Sequence, residues 1–255
     1  MKLCKVNNEN LLEFRFLENS IRIYKEEIMN TVKIDPISRA EALRYLAAGG
    51  STPDENLSAL MDSCEKKLIE AARGKFTFRV FDIEKMTEDE VTLADSELVL
   101  SGKDISRHLS SCEKAVLLAA TIGGEVDRLI RTEQVSDMAA AVVIDAMAGC
   151  AIEQVCNKAE ENVRESFPEM NMTWRFSPGY GDMPISCQKK FVEAVNASRE
   201  IGLNVSESFI MIPRKSVTAV IGLSKEPIEK KRRGCAVCTM RERCTYRKNG
   251  SRCTY

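Results

Sequence analysis

The segment from Asp137 to about Glu165 constrains the fold more than any other part of the chain. Its spacing is helical, and near its start Met138, Ala141, Val142, Ala148, Cys150 and Ala151 leave almost no polar face. A helix that is apolar all round belongs inside a protein. Asp137 is a good capping residue for its start, and Pro168 closes it. The alanines, together with Gly149, let another backbone approach closely. Asp145 puts a carboxylate on the apolar section, with Glu153 two turns on. A buried carboxylate needs a partner, expected here from a neighbouring helix cap or an arginine. The rest of the chain must supply the layers that cover this helix. At 255 residues it can do so, in one large domain or two small ones.

The flanking segments alternate between helical and extended patterns. Residues 9–33 mix apolar and charged residues without a clean period, and Asp35-Pro36 breaks them. Ser38-Arg39-Ala40-Glu41 is a capping-box pattern that starts a short helix through Leu46. Asp54 opens a second helix, in which Leu57, Leu60, Met61, Cys64 and Leu68 form one stripe, so Cys64 reads as a core residue. Beyond Gly74, Phe76, Phe78 and Val80 alternate with Thr77 and Arg79 as a half-buried strand. Further strands are expected around Val91–Leu93 and Glu97–Leu100. Asp104 is expected to cap a short helix holding His108, the only histidine, which reads as a surface or capping residue.

Ala115–Ala120 is a continuous apolar run, as in a strand buried on both faces. Thr121-Ile122-Gly123-Gly124 turns from it into a helix ending near Gln134. Such a turn can form an anion nest, but its spacing is not a dinucleotide fingerprint. Pro184 suits the first turn of a helix carrying Cys187, Phe191, Val192 and Val195 and ending before Gly202. Ser208–Met211 and Val217–Ile221 read as strands joined by the basic turn Pro213-Arg214-Lys215-Ser216. With no regular strand–helix–strand rhythm, this order argues for a mixed α+β fold.

Hydrophobic content of 44% and charged content of 29% are ordinary for a globular protein. No run looks long enough to cross a bilayer, and the first eight residues have no apolar signal core. The expected location is the cytoplasm, with no membrane partner. There the ten cysteines are reduced, and serve as packing residues, metal ligands or redox groups. The net charge of −1 hides an asymmetry, because from Lys225 to Tyr255 ten Lys or Arg face only three Glu. A basic tail can meet nucleic acid, an acidic protein surface or a phosphorylated cofactor. It carries no repeated aromatic platform, so nucleic acid is not the expected partner.

Thr173 to Pro184 holds the only tryptophan and two of the seven prolines. Residues before proline are pushed to extended geometry, and glycine beside proline is loop punctuation. Arg175 to Asp182 should therefore be an extended, sharply turned segment. A fixed backbone, a cation and an aromatic ring suit a ligand carrying a carboxylate and a flat base; an ordinary surface turn is the alternative.

The tail holds Cys235, Cys238, Cys244 and Cys253 within 19 residues. The Cys-x-x-Cys pair puts two thiolates on one tight turn, as a metal requires. The other spacings match neither a paired zinc ribbon nor a common ferredoxin run. Zinc would close a four-thiolate site, and an iron–sulfur cluster would add redox chemistry. Arg232, Arg233, Arg241 and Arg243 would offset thiolate charge. A solvated basic tail with free thiols is the bland alternative.

Two motifs carry a resemblance. Arg175-x-x-x-Gly179-Tyr180 is followed by a helix and then by Ser206-Glu207-Ser208-Phe209-Ile210-Met211-Ile212-Pro213-x-x-Ser216-Val217. Together, in this order, they resemble the S-adenosylmethionine-binding reactivation domain of cobalamin-dependent methionine synthase, closely over residues 170–224 and by element order back to about residue 35. The resemblance implies a single C-shaped α+β domain with a twisted antiparallel sheet flanked by helices. It divides the chain into an N-terminal segment (1–34), that domain (35–226) and a basic Cys-rich tail (227–255).

In that family an electron donor, flavodoxin or ferredoxin, reduces inactive cobalamin, and the methyl group of S-adenosylmethionine traps the reduced form. By resemblance, Arg175 holds the ligand's carboxylate, and the main chain of Phe176 and Ser177 with Gly179 and Tyr180 holds its adenine and ribose. An arginine offers a planar two-pronged donor to a carboxylate. The cobalamin would be carried by a partner, a cobalamin-binding methionine synthase or another corrinoid protein. The family's tyrosine beyond the last motif strand has no match here. By eye, Gly149 falls where the family has a carboxylate on the long helix. The expected function is a stand-alone reactivation subunit. The rival is an iron–sulfur or zinc module for a corrinoid methyltransferase, without bound S-adenosylmethionine.

Overall fold

The structure, a computed structural model, describes residues 30–46 and 52–228. In chain order its elements are β1 (Asn30–Val32), α1 (Arg39–Tyr45), α2 (Glu55–Ala71), β2 (Gly74–Met86), β3 (Glu90–Leu93), β4 (Val99–Ser101) and α3 (Lys103–Leu109). Then come β5 (Lys114–Thr121), α4 (Gly124–Ser136), α5 (Met138–Ser166), β6 (Asn171–Met172), a 3-10 turn (Ile185–Cys187), α6 (Gln188–Ala194), α7 (Ala197–Ile201), β7 (Asn204–Val205), β8 (Met211–Ile212) and β9 (Ser216–Ser224).

The strands form a seven-stranded sheet in the order β4-β3-β2-β5-β9-β6, with β1 also on β2, and a separate β7–β8 ribbon. Every pairing is antiparallel. The 13-residue β2 is the spine. One edge pairs with β5 along residues 75–82, while the other takes β1 at its start and β3 along residues 83–86, with a register shift between Ile83 and Lys85. Among the described residues the sheet thus already includes Asn30, upstream of the break at Asp35-Pro36.

Alternation along β5 explains its unbroken apolar run. Val116, Leu118 and Ala120 enter one core with α1, α2, α4 and α5. Ala115, Leu117 and Ala119 enter a second core on the opposite face, with α3, α6 and α7. A strand covered on both sides has no position left for a polar residue. The fold is therefore α+β, an antiparallel sheet with helices on both faces.

Helix α5 fills the first core as its composition requires, with Ile144, Met147, Ala151, Val155 and Ala159 buried. The Asp137 carboxylate caps it, accepting from the N–H of Ala139 and of Ala140 at 3.0 Å each. Contrary to the sequence reading, this helix is long and apolar enough to span a bilayer by length and composition; 67% of its most apolar window is buried inside the fold. Asp145 is not on the buried side. It is exposed and pairs with Lys215 Nζ at 3.0 Å, because its helical position turns it outward, one step round from Ile144.

The two expected helix starts at Ser38 and Asp54 are present, with Ser38 Oγ accepting from Glu41 N at 3.4 Å and Asp54 Oδ1 from Leu57 N at 2.8 Å. Three local expectations fail. The helix after Pro184 is a 3-10 turn and two short helices, broken where Asn196 takes a left-handed φ of 54°. Ser208–Met211 is mostly a turn: Phe209 has φ 62°, and Ser206 N donates to Ile210 O at 2.9 Å, leaving Met211–Ile212 extended. Asp104 does not cap α3. Its N-cap is Gly102, and the carboxylate at its N-terminus belongs to Asp182.

Candidate functional site

The stretch from Thr173 to Pro184 leaves β6 and runs beside β9. Thr173 N donates to Gly222 O at 2.9 Å, and Phe176 exchanges two backbone bonds with Val220, at 2.9 and 2.7 Å. Thr173 and Phe176 are buried against the sheet. This pins the backbone on either side of Trp174-Arg175 and sends the Arg175 side chain toward α5.

There the guanidinium meets one face of the long helix. Arg175 Nη2 donates to Glu153 Oε2 at 2.9 Å and to Asn157 Oδ1 at 3.1 Å, and Nε lies 3.8 Å from Glu160 Oε2. Positions 153, 157 and 160 recur at helical spacing, so α5 presents all three side by side. The Arg175 side chain is 19% exposed. Its Nη1 is buried and has no hydrogen-bond partner among the described residues. A buried N–H left unpaired costs about 1–3 kcal/mol, so this nitrogen is ready for an acceptor. The cluster holds one cation and two carboxylates. At the same level of α5, Gln154 brackets Asp35, accepting from its N–H at 2.9 Å and donating to its carbonyl at 3.2 Å.

After Phe176 the chain folds into a braced turn. Tyr180 N donates to Ser177 O, Gly179 N to Met183 O and Met183 N to Tyr180 O, all at 2.9–3.0 Å. Gly179 has φ 88°, a region open to glycine at no steric cost. The Tyr180 ring is 59% exposed and meets Phe176 edge-on, with centroids 6.2 Å apart. Behind them, His108 is 4.5 Å from the Trp174 ring and 5.2 Å from the Phe176 ring. His108 is 8% exposed, not a surface residue. Its Nε2 lies 3.0 Å from the Trp174 carbonyl oxygen and 2.8 Å from Thr173 Oγ1.

Arg175, Phe176, Ser177, Gly179 and Tyr180 thus lie on one continuous ledge, with Arg175 toward α5 and Tyr180 toward solvent. Sequence reading missed Glu153, Asn157 and Glu160 as its facing wall. Gly149 carries no polar group, and the Tyr45 ring lies against it, 3.5 Å from where a Cβ would stand. The helical spacing of Glu153, Asn157 and Glu160 was present in the sequence, but Gln154, Lys158, Glu161, Asn162, Arg164 and Glu165 crowd the same half of α5, so spacing alone did not single them out.

Cys235, Cys238, Cys244 and Cys253 lie outside the described residues, and among the described residues no group of three or more metal-binding side chains occurs. The cysteines of the described core are packing residues. Burial pushes the thiols of Cys112, Cys150 and Cys187 up to about 11 and that of Cys156 up to about 12.

No protein-family model matches the chain, and no curated protein matches it significantly in sequence. Among solved structures, the crystal structure of the MetH reactivation domain bound to AdoHcy is similar, with a TM-score of 0.60 and 16% identity over 87% of this chain and 85% of that chain. At that identity the likeness speaks for the fold.

Proposed function

We propose that the chain binds S-adenosylmethionine between the Arg175–Tyr180 ledge and the 153–160 face of α5, and serves reductive methylation of a corrinoid carried by a partner. The partner is a cobalamin-binding methionine synthase or a related corrinoid protein, with flavodoxin or ferredoxin as electron donor. The observation that carries this reading is the Arg175 cluster with its unpaired Nη1, set in a fold like that of a domain solved with AdoHcy.

The chemistry of the cluster fits the ligand. Arg175 Nη1, buried and unpaired, is the donor that would turn to the ligand's carboxylate in a charge-assisted bond. Glu153 and Glu160 stand beside it for the ammonium and the sulfonium. The cluster's net charge of one carboxylate matches the single net positive charge of S-adenosylmethionine. S-adenosylhomocysteine lacks the sulfonium, so it should bind more weakly, by about 1 kcal/mol for a partly exposed charge. The turn at Gly179–Tyr180 and the exposed Tyr180 ring would lie along the nucleoside. The ligand supplies the methyl group for the reduced corrinoid; the protein's part is to hold and aim it.

Isothermal titration of the full chain is the test. Saturable heat with S-adenosylmethionine, competition by S-adenosylhomocysteine and loss in Arg175→Ala are expected. A wild-type chain that gives no heat would end this reading.

A further inference from the structure

Helix α3 grips the ledge at both ends. In its last turn, His108 Nε2 bonds at the Trp174 carbonyl and Thr173 hydroxyl, where the stretch begins. At its N-terminus, the Asp182 carboxylate accepts from Lys103 N at 2.8 Å and from Asp104 N at 3.0 Å, where the stretch ends. The approach is close on both sides of that grip. A Cβ on Gly102, whose φ is +133°, would stand 2.6 Å from Asp182 Oδ1. A Cβ on Gly181, whose φ is +53°, would collide with the Asp104 carboxylate. Glycine at both positions is what lets the turn and the helix end meet.

We propose that Asp182 is a positioning residue for the ligand turn: by capping α3 it fixes the Ser177–Met183 backbone, and with it the Gly179–Tyr180 main chain, in the shape that receives the nucleoside. The proposal rests on the S-adenosylmethionine reading above. The two backbone N–H donors hold the Asp182 carboxyl below the usual carboxylate range, so it remains a full acceptor at neutral pH. The Asp104 carboxylate is itself paired with Arg107 at 3.1 Å. Without the cap, the turn keeps its three bonds between Ser177 and Met183 and the buried Met183 side chain but loses its tie to α3, and a looser turn must be ordered when ligand arrives.

The test has two arms on the full chain, with Asp182→Ala and with Asp182→Asn, which keeps one acceptor oxygen. In the first, hydrogen exchange without ligand should be about tenfold faster at the Tyr180, Met183, Lys103 and Asp104 amides in Asp182→Ala, intermediate in Asp182→Asn, and unchanged in β5. Unchanged exchange at Tyr180 and Met183 overturns the clasp whether or not the chain binds S-adenosylmethionine. In the second, calorimetry should show Asp182→Ala binding S-adenosylmethionine about tenfold more weakly, as for a turn that is competent a tenth of the time, with Asp182→Asn between. Equal affinity in wild type and Asp182→Ala overturns the positioning role. A wild type without binding heat refutes the ligand reading and this role with it, while the exchange arm still reports on the clasp itself.

Discussion

Arg175 is the residue on which fold and proposed function meet. Its guanidinium separates Glu153 from Glu160, so removing it leaves two carboxylates facing each other across one helix face. Arg175→Ala should lower stability by about 1–2 kcal/mol, the scale for a charged hydrogen bond in a half-buried site. Glu153→Gln in the same chain should restore part of that loss, since the repulsion goes with the charge. Urea melts of the two single variants and the double variant form the cycle that reads the coupling; simple additivity would mean that the 2.9 Å contact carries no net energy.

The thiols make a second residue-scale case. Burial raises Cys112, Cys150 and Cys187 to about 11 and Cys156 to about 12, against an ordinary value of 9.0. Above that ordinary value the unfolded chain releases thiol protons that the folded chain retains. Stability should therefore fall as pH climbs from 9.0 toward 11–12, and be insensitive to these groups below 9.0. At neutral pH the same four thiols should resist iodoacetamide until the chain is denatured, as peptide mass spectrometry would show.

At the scale of elements, α5 is shared between stability and site. One side of it fills the core while Glu153, Asn157 and Glu160 face Arg175, so a fault at its start reaches the ledge through packing. Asp137→Ala removes the acceptor for two N–H groups and should cost about 1 kcal/mol; a thermal melt superimposable on wild type would contradict the cap. Strand β5 is buried on both faces, so Leu118→Ala should cost about 2–5 kcal/mol. That loss should appear in urea midpoint without a change in slope. The capping patterns at Ser38, Asp54 and Asp137 were legible because each acts within four residues. The break at Asn196 and the turn at Phe209 were not, because left-handed backbone at those residues is set by what the flanking chain packs against.

For the whole molecule, bound ligand should stabilise by mass action. S-adenosylmethionine at about a hundredfold excess over its Kd should add about 2.7 kcal/mol, seen as a rise in Tm that Arg175→Ala abolishes. The Cys235, Cys238, Cys244 and Cys253 set is tested separately by metal analysis of anaerobically purified full chain against a chain ending at residue 228. A metal-free full chain would leave those cysteines as free thiols.

The sequence by itself determined the long elements, among them α2, α5, β2, β5 and β9, the α+β class and the turned stretch from Arg175 to Tyr180, since capping, periodicity and glycine–proline turns are local physics. It also determined that α5 and β5 must be buried. Tertiary structure alone decided which side of α5 faces water, so that Asp145 is exposed and Glu153, Asn157 and Glu160 form a wall. It likewise buried His108 and brought Asp182 to the end of α3. Those contacts join residues from 15 to 79 positions apart, and their partners are chosen by how the layers stack, which no local pattern encodes.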